Sequence, residues 1–412
     1  MKYIVQKKKC RLCASKKILK VFELCESPLA NNLYNNIKSS LNADYFPLNL
    51  MLCKNCYHLQ LEHVVNSKEL FSNYFYMTGI SRGFKIHFKK FADDIIKKLG
   101  KSSIKNVLEI GSNDCLLLDY FKQKGCKTVG VEPATNLYNL TKKKHRIYNS
   151  FYNLKTNKKL IKNFNSFDLI LANNVFAHID NLKLVFSLLK KLMKNKSFIV
   201  FEVSYLIDVL NKKLFDTIYH EHLDYHAITP LFPFFQNLKL KIVDIENIPS
   251  HGGSIRIYVT KKGNKAKVNK IKLHNFINKE KKIGIKNVET YKKFYNNLIF
   301  QRKKIKQYFL KIKGEVVYGY GAPAKAVTML NFFQLNHKNI KLIIDDSQLK
   351  QNKYIPGTKI KICDSKILLS KPPKFIIILA WNLYKDILPR IIKNKELKYI
   401  IIPFPNFRII KI

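Results

Sequence analysis

The sequence predicts an α/β protein in three parts: a small cysteine-bearing module, then two parallel-sheet domains of Rossmann-like layout. Three observations predict it. Two Cys-x-x-Cys pairs lie within the first 56 residues, short apolar runs alternate with helical stretches from about Ile104, and the alternation resumes near Glu315 after a Lys-rich interval. A chain of 412 residues also exceeds the roughly 250–300 at which single cores stop growing. The expected boundaries are 1–70, 71–262 and 263–412.

In the first part, Cys10/Cys13 and Cys53/Cys56 flank a loop-like stretch rich in asparagine (Asn31, Asn32, Asn35, Asn36). Four thiolates in two such knuckles can close a tetrahedral zinc site, and a closed site leaves no ligand position for water, so the metal is expected to be structural. Cys25 has no such partner and is expected in the core. The basic start from Met1 to Lys9 is followed by Cys10-Arg-Leu-Cys13 rather than an apolar run. That pattern argues against a secretory leader, and no stretch reaches the roughly 18 apolar residues of a membrane span. A cytoplasmic protein is expected, in which thiols hold metal rather than disulfides.

The second part should place strands at Asn106 to Ile110, Thr128 to Val131, Phe167 to Ala172 and Phe198 to Val203. Helices are expected at Leu116 to Lys124, Thr135 to Lys143 and Asn181 to Met193. Leu240 to Glu246 and Ser254 to Thr260, separated by His251-Gly-Gly-Ser254, should pair antiparallel at one sheet edge. One helical stretch is expected from about Asn264 to Lys311. The third part offers strands at Glu315 to Gly319, Lys341 to Asp345, Lys374 to Ala380 and Tyr399 to Pro403.

A net charge of +47 invites a nucleic-acid reading. Only seven of the 75 basic residues are Arg, however, whereas phosphate and base recognition favour its bidentate fork. Solvated lysine faces explain the excess, so no nucleic-acid partner is expected. The positive potential can still gather a dianionic small molecule.

The ligand site is predicted where the first strand of the second part ends, at Glu109-Ile-Gly-Ser-Asn-Asp114. A glycine there, Gly111, lets the backbone approach a ligand, which alone suits NAD or S-adenosylmethionine. The next strand ends in Val131-Glu-Pro133, where Glu132 can accept from both ribose hydroxyls. Glu109 and Asp114 would repel a pyrophosphate but suit a ligand carrying a sulfonium and an ammonium, which favours methyl transfer.

These runs, with Asn173-Asn-Val-Phe-Ala-His178, resemble the C-methyltransferases of deoxysugar biosynthesis; the paired cysteines in front and the α/β domain behind match that family too. The resemblance spans nearly the whole chain. It implies a zinc module, a class I methyltransferase domain and a second Rossmann-like domain. It also implies a cofactor site of Glu109, Gly111, Asn113, Asp114, Glu132, Pro133 and Asn173. One departure is visible: Cys115 stands where the family usually has Gly. If that position needs a positive φ, cofactor affinity should weaken.

After the fourth strand, Phe215-Asp-Thr-Ile-Tyr-His-Glu-His222 packs ionisable and phenolic groups into a span expected at the ligand edge. Such a cluster suits proton transfer. The resemblance implies a keto-hexose on a nucleoside diphosphate, methylated at the carbon beside the ketone. His222 would be the base, with Tyr219 and Glu221 beside it, Asn174 and His178 holding the sugar, and Tyr76 lining the pocket. His251 and Arg256 are further candidates for substrate contact.

In the third part, Gly319-Tyr-Gly321 turns into a helix whose N-terminus, with Lys325, could hold a phosphate. The resemblance assigns this domain to the nucleotide end of the sugar, with Asp345 and Asp346 suited to its ribose. The expected partner is thus a nucleotide-sugar, bound by a monomer. Alternatives are oxygen or nitrogen methylation of a related small molecule, a non-catalytic binding protein on the same fold, and an NAD-linked oxidoreductase using Gly319 and Gly321.

Overall fold

The computed structural model describes residues 4–72, 74, 77–80 and 82–412, apart from the side chains of Ile80 and His251. The first part contributes β1 (Ile4–Gln6), β2 (Ile18–Ser27), β3 (Phe46–Cys53), β4 (Leu59–Leu61) and β5 (His63–Val65). Between the cysteine pairs the chain is strand at either end, while the asparagine-rich middle, residues 28–45, lies outside the strands and holds the short helix Ile37–Leu41. Apolar residues of β2 and β3 such as Phe22, Leu24, Leu48 and Leu50 are buried and outweigh the flanking lysines.

The central part adds β6 (Asn106–Ile110), β7 (Lys127–Val131), β8 (Arg146–Tyr148), β9 (Phe167–Asn173), β10 (Met193–Ser204), β11 (Asp224–Tyr225), β12 (Leu240–Ile248) and β13 (Ser254–Lys261). Seven of these form one sheet in the order β12-β13-β10-β9-β6-β7-β8. Its strands pair in parallel except where β13 meets β10 and β12, as the edge hairpin required. The order reverses at β6, which places a ligand crevice at its carboxyl end.

The eighth strand leaves this sheet. β11 pairs antiparallel with β4, completing a four-stranded sheet β11-β4-β3-β2 that stitches the first part to the central one.

The expected long helix is two, Lys270–Ile283 and Val288–Lys311. Gly284, at φ +82°, closes the first with a left-handed cap, and Asn287 opens the second by accepting from Glu289 N–H. The second helix lies against β2, where Tyr295 stacks on Phe22 at 5.3 Å.

The third part forms β14 (Val317–Tyr320), β15 (Leu342–Ile344), β16 (Lys361–Cys363), β17 (Phe375–Ile378), β18 (Tyr399–Ile402) and β19 (Arg408–Lys411). The sheet order is β16-β15-β14-β17-β18-β19, parallel but for β19. Here the reversal falls at β14, so the Gly321 turn also sits at a switch point.

Candidate active site

One cavity of about 940 Å³ runs from the carboxyl ends of β6, β7 and β9 to the loops after β14 and β15. Its first end is acidic. Gly111 has φ +67°, and a Cβ there would lie 2.5 Å from Val175, so only glycine fits the turn. Glu132 accepts from Asn113 N–H at 2.8 Å and Ala134 N–H at 2.9 Å, yet burial pushes its carboxyl up to about 7. Asp114 accepts from Gly79 N–H at 2.5 Å, and Asn113 Oδ1 from Thr78 N–H at 3.1 Å, pinning the segment before the helix Arg82–Leu99 over the crevice.

Glu109 is buried, and burial together with Asp114 and Glu132 drives its carboxyl well above the usual range. Its Oε2, and both polar side-chain atoms of Asn173, lack hydrogen-bond partners among the described residues. Three carboxylates with unspent acceptors at one end of a cavity fit a ligand that brings cationic groups and hydroxyls. S-adenosylmethionine meets that requirement, and Pro133 completes the wall.

Cys115 does adopt φ +63°, the strained conformation foreseen for the family's glycine. Its side chain is fully buried in the core, and the residue is absent from the cavity wall.

At the middle of the cavity stand Tyr219, His222, His178 and Asn174. His222 Nδ1 lies 2.7 Å from the Thr217 carbonyl. A carbonyl only accepts, so the ring carries its proton on Nδ1 and presents a lone pair at Nε2, where Tyr219 donates its hydroxyl at 3.1 Å. Burial pushes the imidazole down to about 4, so it is neutral at pH 7. The His178 ring is 5.0 Å from that of His222 and stacks on Phe71. Asn174 takes φ +56° at the end of β9, held by its N–H to the Glu202 carbonyl.

Glu221 lies behind this wall. It accepts from Asn31 at 2.6 Å and Tyr74 at 3.0 Å, and burial pushes it up to about 7. Asp224 and His226 are also buried on the side of the first part, while His220 borders the cavity with its ring turned back toward that part. His220 donates to the Phe46 carbonyl, and His58 donates to Asp224 at 2.8 Å. Arg11, between the first two cysteines, reaches the carbonyls of Leu61 and Leu223. The cluster foreseen as one catalytic group thus divides between a cavity-facing pair and a buried framework.

That framework rests on the cysteines. Cys10–Cys56 and Cys13–Cys53 Sγ distances are both 3.6 Å, and all four sulfurs lie within 4.8 Å of one another. A tetrahedron with Zn–S near 2.3 Å has S–S edges of about 3.8 Å, so the donors fit zinc, held structurally with all four positions filled by protein.

The far end is lined by Tyr320, Gly321, Lys325, Asp345, Asp346 and Lys350. Gly321 has φ +85°, and a Cβ there would meet Ala380 at 2.5 Å. Lys325 is not a free cation: Nζ lies 3.4 Å from Asp216 and 4.2 Å above the Trp381 ring.

Arg256 departs from expectation. It is buried on β13 against Glu202 at 2.8 Å and over the Phe91 ring, outside the cavity wall, because the inward face of an edge hairpin must neutralise Glu202. Tyr76 and the side chain of His251 lie outside the described residues. Asn31, Thr217 and Lys350 line the cavity unforeseen. Thr217 stood within the quoted run and acts by its carbonyl, which no residue type advertises.

An acidic nucleoside-type crevice at a parallel-sheet switch point, beside a neutral histidine, defines an S-adenosylmethionine-dependent methyltransferase. Residues 10–71 match the family described as "Putative zinc binding domain", 84–241 that described as "Methyltransferase domain" and 249–405 that described as "C-methyltransferase C-terminal domain". The three matches follow one another along most of the chain, in the order zinc-binding, methyltransferase and C-terminal domain. It is 28% identical to C-methyltransferase NovU of Streptomyces niveus over 97% of this chain and 96% of the relative. Solved structures similar to part of it include an S-adenosylmethionine-dependent methyltransferase from Clostridium acetobutylicum (16% identity, TM-score 0.34, 43% of this chain and 92% of that one). Another is magnesium protoporphyrin IX methyltransferase from Synechocystis (10% identity, TM-score 0.35, 43% and 83%).

Proposed function

We propose that the enzyme methylates the carbon beside the ketone of a nucleotide-linked keto-deoxysugar, with His222 as the base. The observation that carries this reading is the locked, neutral imidazole in the cavity wall, its Nδ1 proton committed to Thr217. As the Tyr219 hydroxyl turns from His222 Nε2 to the ketone oxygen, the C–H bond beside the ketone breaks, its proton passes to the freed Nε2, and its electron pair spreads onto the ketone oxygen. Tyr219, His178 and Asn174, all on the wall, are the groups that hold that oxygen. S-adenosylmethionine, when bound, supplies a methyl group on a cationic sulfur as electrophile for the carbon. Glu132 would take its ribose hydroxyls, and Glu109, Asp114 and Asn173 its charged end. Asn113 and Gly111 shape the turn that lets it approach.

The far end supports a nucleoside diphosphate. Lys350 and the Asp216-paired Lys325 present N–H donors beside the Gly321 turn, and Asp345 and Asp346 offer acceptors for a ribose. Glu221 supports the reaction from behind by fixing the segment that carries its neighbour His222. The setting proposed is a cytoplasmic monomer acting on a small molecule; no described helix is long and apolar enough to cross a membrane.

Mass spectrometry of the protein with labelled S-adenosylmethionine and a panel of nucleoside-diphosphate 4-keto-6-deoxy sugars tests this. One methyl gained, and none with His222→Ala, is the expected result. Exchange of the substrate's α-proton with deuterated water, without a methyl donor, separates carbon from oxygen or nitrogen methylation. A cofactor-binding protein that neither exchanges nor methylates any of the panel would move the substrate out of the keto-sugar class.

A further inference from the structure

The residues just before His222 are keyed into the third domain. Phe215 inserts among Phe332, Phe333 and Phe404, with ring centroids 4.8, 5.3 and 4.9 Å away. Asp216 beside it is 0% exposed. Its Oδ2 accepts from the Trp381 indole N–H at 2.6 Å and faces Lys325 Nζ at 3.4 Å, while Oδ1 has no partner among the described residues. A buried carboxylate so thinly satisfied depends on those two groups, and both belong to the third domain. Trp381 is fixed in turn by its edge contact with Phe404 and by the Lys325 ammonium over its face. The next residue, Thr217, contributes the carbonyl that fixes the His222 proton on Nδ1.

We infer that Asp216 is a positioning residue: clasped by Trp381 and Lys325, it aims the Thr217 carbonyl and thereby holds His222 in the tautomer whose Nε2 can accept a proton. The inference rests on the reading of His222 as the base. It gives Lys325 a role in addition to any phosphate contact, because the same ammonium lines the cavity and neutralises Asp216. Substrate seated at the third-domain end would be sensed by the clasp, and the base lies six residues along the chain from it.

The test is nitrogen-15 NMR of histidine-labelled full-length protein, with the His222 signals assigned by their loss in His222→Gln. Wild type should show the Nδ1-protonated ring alone, and Asp216→Asn a mixture of both tautomers. With substrate, Asp216→Asn should lower kcat about ten- to a hundred-fold and leave KM within about twofold, the scale seen when a group that orients a reacting side chain is lost. Trp381→Phe removes the indole N–H and the second ring, keeps an aromatic face toward Phe404 and Lys325, and should move both readouts the same way by less. If Asp216→Asn does not fold, Trp381→Phe decides on the same two readouts. Wild-type tautomer and kcat in the folded variants would overturn the inference. A His222→Gln protein that still exchanges the α-proton would overturn the base instead, leaving the tautomer shift to judge the clasp.

Discussion

His222 donates its Nδ1–H to the Thr217 carbonyl at 2.7 Å, and that single bond decides which ring nitrogen faces the cavity. Burial holds the free-enzyme imidazole down to about 4. The reactive form is neutral, so activity is present above that value and lost as pH falls through it. The acid limb of kcat/KM should therefore lie well below the ordinary histidine value of about 6.5. A rate profile over acid pH checks this, and His222→Ala should lower kcat by about 10²–10⁴.

Cofactor binding should release protons. Glu132 is pushed up to about 7, so it is partly protonated in the empty cavity near neutrality, and Glu109 is raised in the same direction by burial and by its acidic neighbours. A cationic ligand favours the ionised carboxylates, so affinity for S-adenosylmethionine should rise as pH increases through about 7. Calorimetry in two buffers of different ionisation enthalpy reads the released protons directly.

Gly111→Ala should abolish measurable cofactor binding. The added Cβ meets Val175 at 2.5 Å at a φ of +67°. Strain and overpacking together should cost about 2–4 kcal/mol. Thermal melting with and without cofactor separates the loss of stability from the loss of binding.

Metal loss should separate binding from catalysis. Cys13→Ser opens the four-sulfur site, and the framework of Arg11, His58 and Asp224 that carries the His222 segment rests on it. The acidic crevice is built from other strands. Methyl transfer should fall at least about tenfold, the scale expected when metal-site support is disturbed, while cofactor affinity changes little. Elemental analysis should find zinc in wild type and a deficit in the variant.

Cys115→Gly should leave cofactor affinity unchanged. Relief of the left-handed strain, about 1–2 kcal/mol, is offset by the lost burial of the thiol in the core. Titration with cofactor, beside a denaturation curve, checks both halves.

Much of this arrangement was legible because apolar runs and strand-end residues have local signatures. The strands of the central sheet fell where β-branched and aromatic runs predicted them, and Glu109 and Glu132 arrived at adjacent strand ends. Short edge strands such as β8 and β16 escaped, since three residues carry too little periodicity. The division of the 219–226 segment was also hidden. Which of its histidines faces the cavity depends on β11 pairing with a partner far away in sequence, and Arg256 is claimed by Glu202 for the same non-local reason.

The pairing of β11 with β4 also sets an order of events. His58 and Asp224, which meet across it, are 166 positions apart. During synthesis the amino-terminal sheet must wait with β4 as an open edge while the intervening domain emerges. The segment that carries His222 can therefore dock only after the strands of the nucleoside crevice, β6, β7 and β9, have been made.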